Sequence, residues 1–432
     1  MKIKDCILTT ISGDWGVENI SDDSPIKVYC LRSADIAPIY QHDYKGIPCR
    51  YVSQRSFDSR ELKEGDIIIE KSGGTDSCST GRPILVSKEL LKYNTPLMCS
   101  NFCCAIRIKP EWDPEYVYYY LRLIHKNRIF FNFEGKTSGI HNLDTDAAYA
   151  AIDIPDISLK EQNSIARILR NVDSHLALNR KMNEELDSMI KQLFVHWFIQ
   201  FDFPNSEGKP YKTSGGKMIY NEVMKRNIPD GWEIKQLSSL VDSQENGEWG
   251  EEEQTGNSLA VNCVRGADIN DLVGAPVRYL PNNKKDKLLK EDDIIIEISG
   301  GSPTQATGRS NYVSKGILKM YNNLMTCSNF CKFIRIEDSK YATYFFFLWQ
   351  LFYDNGNMFH YEGKTSGIKN LQIDSILAEY WCFPDEKLVE KFHSIAKSVQ
   401  AKIDNNKSKS KELNNVGDFL LPLLMNGQAK VN

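Results

Sequence analysis

The most regular hydrophobic pattern along the chain is a seven-residue repeat that occurs in two separate segments. We label its two predicted interface positions a and d. The a positions are Val172, Asn179, Leu186 and Leu193 in the first segment and Val399, Asn406, Leu413 and Leu420 in the second. The d positions are Ile168, Met182 and Met189 in the first segment and Ile395, Val416 and Leu423 in the second. Because a and d residues form the packing face of a helix, this pattern predicts two long helices.

The segments that precede these helices contain β-branched runs, and their motifs occur twice. The paired motifs are LKEGDIIIEKSGG at 62–74 and LKEDDIIIEISGG at 289–301, TGR at 80–82 and 307–309, CSNFC at 99–103 and 327–331, and EGKTSGI at 134–140 and 362–368. These four pairs are displaced by 227 or 228 residues, and the openings GDWGVE at 13–18 and GEWGEE at 247–252 also correspond. Collinear matches at nearly one displacement indicate an internal duplication.

Both copies predict the same order of elements. Strands such as the runs at 66–70 and 293–297 are followed by an aromatic helix at 116–124 or 344–352. The EGKTSGI loop, a short strand ending at Pro155 or Pro384, and the long helix come next. Each long helix either packs on its own globular domain or pairs with the other helix. The duplication favours pairing, in which Asn179 and Asn406 would fix the register.

The predicted fold is therefore a mixed α/β fold with an internal pseudo-two-fold repeat. We place the first globular domain at 1–157 and the first long helix at 158–203. A linker rich in Gly, Pro, Ser and Lys and the second globular domain occupy 204–385. The second long helix is placed at 386–428, and 429–432 form a tail.

Composition limits the kinds of function that the chain can perform alone. The net charge of −4 is unusual for a protein that holds nucleic acid unaided. DNA binding would require a local basic surface, or partner subunits that supply phosphate contacts. The eleven cysteines lack the spacing of zinc ligands and are predicted to be buried free thiols. The N-terminus resembles no signal peptide, and the most apolar stretch, 344–352, is too short to span a bilayer, so we expect a cytoplasmic protein.

Motifs that would indicate catalysis fail on inspection. GKT occurs at 135–137 and 363–365, but Phe130 and Met358 stand where a phosphate-binding loop requires glycine. The Asp230 and Glu233 carboxylates are too close together in sequence for a nuclease metal site, and the chain contains no Pro-Pro pair of an amino-methyltransferase. The seven histidines are scattered. We predict no catalytic residues and no bound metal.

Recognition is the function that remains, and the repeated loops supply candidate DNA contacts. Lysine neutralises a phosphate, hydroxyl groups donate to its oxygens, and glycine allows close approach of the backbone. The predicted DNA-binding residues are Lys136, Thr137, Ser138, Lys364, Thr365, Ser366, Lys71, Ser72, Arg82, Arg309, Trp15 and Trp249. Alternatives remain for each group. EGKTSGI can be a structural turn, the SGG and TGR segments can be framework, and the two tryptophans can belong to the core.

The whole chain resembles the specificity subunits of type I restriction–modification systems. The repeated motifs carry the resemblance, together with the run from Ile154-Pro155 to Glu161-Gln162 and Ala166. Further motifs are LFVHWFIQFDFP at 193–204, GKPYKTSGGKM at 208–218, IPDGWE at 228–233 and LLPLLMNGQ at 420–428. One departure is that Glu161-Gln162 becomes Glu390-Lys391 in the second copy, which we expect to alter the entry of the helix.

This resemblance implies a non-catalytic DNA-binding subunit used in phage defence. Each globular domain would be a target recognition domain for one half of a split DNA sequence, and the long helices would form an antiparallel coiled coil between them. Two modification subunits would dock on this frame, and restriction subunits would join the larger complex. S-adenosylmethionine, ATP and Mg would be bound by those partners and not by this chain. The alternative is a duplicated protein–protein adaptor without direct base recognition.

Overall fold

The computed structural model of the protein describes residues 1–75, 78–137, 140–302, 304–365 and 368–429. The chain divides into two compact units. Unit 1 comprises Met1–Leu178 and Ser410–Asn432, and unit 2 comprises Asn179–Lys409. Each unit includes part of both long helices, so the predicted domain limits at 157, 204 and 385 stay predictions. Within the described ranges, no helix is long and apolar enough to cross a membrane.

Unit 1 alternates short helices with short strands. The helices are α1 (Ile3–Cys6), α2 (Ile36–Tyr40), α3 (Gln54–Arg60), α4 (Lys88–Tyr93), α5 (Pro114–Lys126) and α6 (Thr145–Ala151). The strands are β1 (Ile7–Ser12), β2 (Ile26–Leu31), β3 (Cys49–Val52), β4 (Ile67–Glu70), β5 (Ser72–Gly74), β6 (Pro83–Leu85), β7 (Leu97–Cys99), β8 (Cys103–Ile108), β9 (Glu134–Thr137) and β10 (Ile140–Leu143). The long helix α7 (Leu159–Phe194) starts in unit 1 and ends in unit 2, where a π-helical turn at Val195–Ile199 follows it.

Unit 2 contains the second set of elements. The strands are β11 (Met218–Asn221), β12 (Arg226–Pro229), β13 (Glu233–Gln236), β14 (Val241–Asn246), β15 (Ser258–Val264), β16 (Val277–Pro281), β17 (Ile294–Glu297), β18 (Ser299–Gly300), β19 (Ser310–Tyr312), β20 (Met325–Cys327), β21 (Cys331–Ile336), β22 (Glu362–Thr365), β23 (Ile368–Leu371) and β24 (Tyr380–Phe383). The helices are α8 (Lys315–Met320), α9 (Ala342–Asp354), α10 (Ile373–Leu377) and the long α11 (Glu386–Met425), which ends in unit 1.

The strand order of the sheets repeats from one unit to the other. Unit 1 has the orders β1-β8-β4-β6, β3-β2-β7 and β5-β10-β9. Unit 2 has the matching orders β14-β21-β17-β19, β16-β15-β20 and β18-β23-β22, and also the pairs β11-β12 and β13-β24. The same register irregularity occurs near the start of β1 and of β14. The internal duplication and the mixed α/β fold class predicted from the sequence are therefore confirmed.

The central isoleucine runs are buried on both faces of their sheets. In β4, Ile67 and Ile69 belong to the core beneath α5, whereas Ile68 belongs to a second core on the opposite face. The strand period of two places alternate side chains on opposite faces, and a strand covered on both faces becomes an uninterrupted apolar run. Strand β17 repeats this arrangement with Ile294 and Ile295 in different cores.

The two long helices start differently, as the change from Glu161-Gln162 to Glu390-Lys391 predicts. At the start of α7, the Ser158 backbone N–H donates to the Glu161 carboxylate (3.1 Å), and the Glu161 N–H donates to the Ser158 hydroxyl (3.3 Å). This reciprocal capping fixes the N-terminus of α7, which begins at Leu159, two residues before Glu161. Helix α11 instead begins at Glu386, four residues before Glu390, and the Lys391 ammonium lies 5.8 Å from the Trp197 ring centre.

The long helices contact each other in an antiparallel sense. In unit 2, Asn406 donates a hydrogen bond from Nδ2 to Oδ1 of Asn183 (2.8 Å). In unit 1, a Cβ atom added to Gly417 would lie 3.4 Å from Cγ1 of Val172. Along the two helices, residue numbers increase from 172 to 183 while their partners decrease from 417 to 406. This pairing matches the coiled coil that the resemblance implies.

The packing face between the two long helices, which we call the seam, is made of the a positions and a second row of residues. This second row differs from the predicted d positions. All eight predicted a residues are buried or half-buried, but the second row lies four residues after each of them and not three. This row contains Leu169, Leu176, Asn183, Ile190, Ala396, Ile403, Ser410, Gly417 and Leu424. The predicted d residues Met189 and Val416 are wrong, since they are 53% and 46% exposed. The buried Asn406 consequently meets Asn183, which the sequence analysis did not include in the interface.

Candidate DNA interface

The EGKTSGI motif forms a β-hairpin in both units. Strands β9 and β10 pair antiparallel, with Lys136 opposite His141, and β22 and β23 pair in the same register, with Lys364 opposite Lys369. The predicted contacts Ser138 and Ser366 lie outside the described residues, as do the side chains of Lys136, Thr137, Lys364 and Thr365. The phosphate-contact prediction for these six residues stays a prediction.

A glutamate fixes the base of each hairpin to the TGR segment. The Glu134 carboxylate accepts hydrogen bonds from the hydroxyl of Thr80 (2.9 Å) and from Nδ1 of His141 (2.7 Å). In unit 2, Glu362 accepts from the backbone N–H of Thr307 (2.7 Å) and forms an ion pair with Lys369 (2.8 Å). Burial alone would raise the pKa of the Glu362 carboxyl, but the bonds from Lys369 and Thr307 outweigh it and lower this pKa.

The predicted DNA contacts Arg82 and Arg309 are engaged inside their own units. Two nitrogens of Arg82 donate to the carboxylate of Glu70, with Nε at 2.7 Å, and the Glu70 side chain is only 1% exposed. Arg309 pairs with Glu297 in the same way, at 2.9 and 2.7 Å. A guanidinium that holds a buried carboxylate in two bonds satisfies both charges. This geometry favours the framework alternative, and phosphate contact by the two arginines stays a prediction.

The contacts of the SGG segments also favour their framework alternative. Gly73 and Gly300 have φ angles of 133° and 142°, which L side chains rarely adopt. A Cβ at either position would approach the buried glutamate, at 3.0 Å from Glu70 and 2.8 Å from Glu297. Ser72, another predicted contact, donates from its hydroxyl to Asn142 and so joins β5 to β10. Both observations tie this segment to the buried ion pair and to the hairpin.

Lys71 is the remaining predicted contact of the SGG segment. Its side chain is half-buried, and its positive charge lowers the pKa of Cys104, although burial dominates and raises that pKa to about 12. The corresponding residue of unit 2 is Ile298, so this lysine belongs to one copy only. Lys71 stays a predicted DNA contact of unit 1.

Each predicted tryptophan is stacked against an arginine that the sequence analysis missed. The guanidinium carbon of Arg50 lies 4.1 Å from the ring centre of Trp15, and that of Arg278 lies 4.4 Å from the ring centre of Trp249. Arg50 also pairs with Glu18 (3.2 Å), and Arg278 pairs with Glu252 (3.0 Å). One face of each indole is therefore occupied, which limits base stacking to the other face. The sequence contains these arginines in a repeated P-x-R-Y motif at 48–51 and 276–279, which could have identified them as a pair.

Hydrogen bonds join the opening motif, the CSNFC turn and the hairpin into one group of loops. The backbone N–H of Trp15 donates to the side-chain oxygen of Asn101 (3.0 Å), and the N–H of Ser72 donates to the Phe102 carbonyl (3.1 Å). Strand β5 then pairs with β10 of the hairpin. We call residues 13–18, 71–74, 99–103, 134–137 and 140–143 loop cluster 1. Loop cluster 2 comprises 247–252, 298–301, 327–331, 362–365 and 368–371.

The thiols and carboxylates of the described residues do not assemble a metal site. No group of three His, Cys, Asp or Glu residues in these ranges is placed to hold an ion. Burial raises the pKa of the Cys103 thiol to about 11 and that of Cys331 to about 12. Most cysteines are buried and free, as expected, but Cys78 is exposed and Cys49 is half-buried. The prediction of buried thiols is wrong for Cys78, which lies on a surface segment.

Duplicated α/β units, joined by paired helices and each carrying the same loop cluster, define a two-domain recognition protein. Residues 50–188 match the family described as type I restriction modification DNA specificity domain. The chain is 25% identical to the type I restriction enzyme MjaIX specificity subunit of Methanocaldococcus jannaschii, with 100% of this chain and 97% of that protein covered. It is 26% identical to the MjaVIII specificity subunit of the same organism over 43% of this chain and 41% of that protein.

A solved structure shows the same fold. The S subunit of a type I restriction–modification system from M. genitalium aligns with a TM-score of 0.56 at 15% identity, and covers 98% of this chain and 95% of its own. Over its whole length the chain is therefore similar to type I restriction–modification specificity subunits, a family whose general role is DNA target recognition. Subunits of this family are generally non-catalytic.

Proposed function

We propose that the chain recognises a bipartite DNA sequence, with loop cluster 1 on one half and loop cluster 2 on the other. The observation that carries this proposal is the repetition of the whole loop cluster, together with the buried glutamate–arginine pair and the tryptophan–arginine stack that adjoin it in both units. Two copies of one recognition surface, on units joined by a paired-helix spacer, are suited to two short DNA blocks around an uncontacted gap.

The charge of the chain supports a role inside a larger complex. The net charge is −4, and the guanidinium groups of Arg82 and Arg309 are neutralised within their units. Phosphate contacts supply much of the affinity of DNA-binding proteins. We propose that two modification subunits dock on this chain and close around the duplex, and that restriction subunits join the full complex. In this proposal, S-adenosylmethionine, ATP and Mg bind to those partners.

Methylation mapping tests the bipartite target. DNA from cells that carry the complete system is sequenced by a method that detects methylated adenine. We expect two short specific blocks separated by a gap of unspecified bases. A continuous recognition sequence would contradict the two-domain proposal. A methylation pattern that survives replacement of either loop cluster would favour the protein–protein adaptor.

Removing the hairpin lysines should weaken DNA binding similarly on every sequence. Each phosphate contact that Lys136→Ala or Lys364→Ala removes should lower the slope of log affinity against log salt by roughly 0.9. Fluorescence titrations of the assembled complex at several salt concentrations measure this slope. Lys88→Ala is the matched control, because Lys88 is an exposed lysine at the start of α4, outside loop cluster 1. A changed base preference with an unchanged slope would assign these lysines to bases.

The purified chain alone should neither methylate DNA, nor cleave it, nor hydrolyse ATP. The expectation follows from the missing catalytic motifs and from the general character of the family. Radioactive methyl transfer, plasmid nicking and phosphate release are measured with and without added modification subunits. Turnover that co-purifies with the chain and is lost on mutation of one of its own residues would overturn the proposal.

A further inference from the structure

Each loop cluster presents one exposed phenylalanine at the same place. Phe102 and Phe330 occupy the tip of the CSNFC turn, and they are 57% and 53% exposed. Leaving a phenylalanine in water forgoes roughly 1.5–3 kcal/mol of burial free energy. Scattered exposed apolar residues are common. Exposure of the same residue type on the same turn of two diverged copies, however, is not scattered and needs a further reason.

The backbone of this turn is held from both sides. The Phe102 carbonyl accepts hydrogen bonds from the N–H groups of Lys71 (2.8 Å) and Ser72 (3.1 Å). The opening motif packs closely against the other side of the turn. A Cβ atom added to Gly13 would lie only 1.9 Å from the Ser100 carbonyl oxygen. Unit 2 repeats both contacts, with the Phe330 carbonyl bonded to the N–H of Ile298 (2.9 Å). Each ring is thus presented on a backbone that is already fixed.

Internal packing does not account for these rings. Among the described residues, neither Phe102 nor Phe330 belongs to a hydrophobic core or packs against one. A second pair of exposed phenylalanines at corresponding positions does have internal partners. Phe131 lies 5.9 Å from the His141 ring, and the Lys369 ammonium lies 5.0 Å from the Phe359 ring. Of these two pairs, the one on the CSNFC turns has no such partner within the described part of the chain.

The surroundings of the two rings fit DNA bases better than a protein partner. Protein docking sites are contiguous apolar patches, and unit 1 offers Val17 and Ile20 in and just beyond its opening motif. The corresponding positions of unit 2 are Glu251 and Gln254. The exposed hydrophobic side chain that both loop clusters share is therefore a single phenylalanine and not a contiguous apolar patch. Base edges in the major groove present isolated apolar groups of this kind, above all the thymine methyl.

We propose that Phe102 and Phe330 contact base edges, one in each half of the DNA target, and so contribute to sequence specificity. This inference rests on the proposed function, since it assigns a role within the bipartite recognition described above. The hairpin lysines supply affinity that is independent of sequence, and the two phenylalanines supply part of the discrimination between bases.

Alanine replacement in the assembled complex tests the inference. Phe102→Ala and Phe330→Ala are compared with the unchanged chain on the mapped target and on a non-specific duplex. We expect each variant to bind the target about tenfold more weakly, equivalent to about 1.4 kcal/mol, with non-specific binding and the salt slope unchanged. Scanning base-pair substitutions through the target should show flattened preference at one or two positions. These positions should lie in one half-site for Phe102→Ala and in the other for Phe330→Ala.

Leu8→Ala is the matched control, because Leu8 is also 57% exposed but lies near the start of β1, away from loop cluster 1. Thermal unfolding of all variants should be unchanged, and Phe102→Leu should keep part of the specificity. Equal losses on target and non-specific DNA, no loss at all, or weakened binding of modification subunits would overturn the inference. If the unchanged chain shows no bipartite preference, the proposed function fails; if it does and both alanine variants match it, only this inference fails.

Discussion

Replacing Glu70 with alanine should destabilise unit 1 by about 3–5 kcal/mol, because the change leaves the Arg82 guanidinium without its buried partner. The carboxylate is 1% exposed and accepts two hydrogen bonds from Arg82, whose side chain is only 24% exposed. Removing one partner of a buried pair costs more than the pair itself contributes. The double replacement of Glu70 by leucine and Arg82 by methionine should therefore recover most of the loss.

Hydrogen exchange read by mass spectrometry measures this effect within unit 1, since the two units need not unfold together. The amides of Ile67–Glu70 in β4 report on the pair. Glu64→Ala is the control, because Glu64 forms an exposed ion pair with Lys88 at 3.8 Å, and its loss should change stability by less than about 1 kcal/mol. A loss below about 1 kcal/mol for Glu70→Ala would show that the pair is not structural.

The same geometry predicts how DNA binding responds to loss of the arginine. If Arg82 were a phosphate contact, Arg82→Ala would lower the salt slope by roughly 0.9. As a framework residue, it should leave the slope unchanged and reduce affinity only as far as unit 1 unfolds. Measuring both the stability of unit 1 and the salt dependence of DNA binding on Arg82→Ala therefore distinguishes a framework role of Arg82 from a phosphate-contact role.

The sequence predicted the parts of the fold that depend on local pattern. The isoleucine runs, the aromatic helices and the duplication could be predicted because burial on two faces, helical period and repetition are all visible along the chain. The fate of Arg82 could not be predicted, because its partner Glu70 comes twelve residues earlier and reaches it only when β4 pairs with β6. Residue type indicated a phosphate contact, whereas the pairing of β4 with β6 gives the guanidinium a carboxylate partner inside unit 1.

The helix seam shows a second limit of sequence pattern. The rows three and four residues after each a position both contain apolar side chains, for example Met189 and Ile190. The row four residues after each a position includes the half-buried Asn183, Ser410 and Gly417, which do not resemble a core. Small and polar residues are accepted there because the facing helix approaches closely and Asn406 satisfies Asn183. Asn406 lies more than 200 residues from Asn183 along the chain. The sequence around either helix therefore does not show which of the two rows is buried.

The corrected seam determines how the spacer can be lengthened without breaking it. Repeating residues 184–190 directly after Asn183 and residues 399–405 directly before Asn406 adds one heptad to each helix. This design keeps the Asn183–Asn406 layer and places the new residues in the same seam positions. Seven residues extend a helix by roughly 10 Å at ~1.5 Å per residue. Because α7 and α11 both run from one unit into the other, loop clusters 1 and 2 should move apart.

In the bipartite proposal, this extension should lengthen the unspecified gap of the DNA target by up to about three base pairs, at ~3.4 Å per base pair. The two specific blocks should stay the same, because no residue within either loop cluster changes. Methylation mapping of cells carrying the extended chain measures both quantities. The control variant adds the heptad to α7 alone, which shifts one helix against the other and should abolish methylation. An active extended enzyme with an unchanged gap, or with altered blocks, would show that the paired helices do not set the spacing.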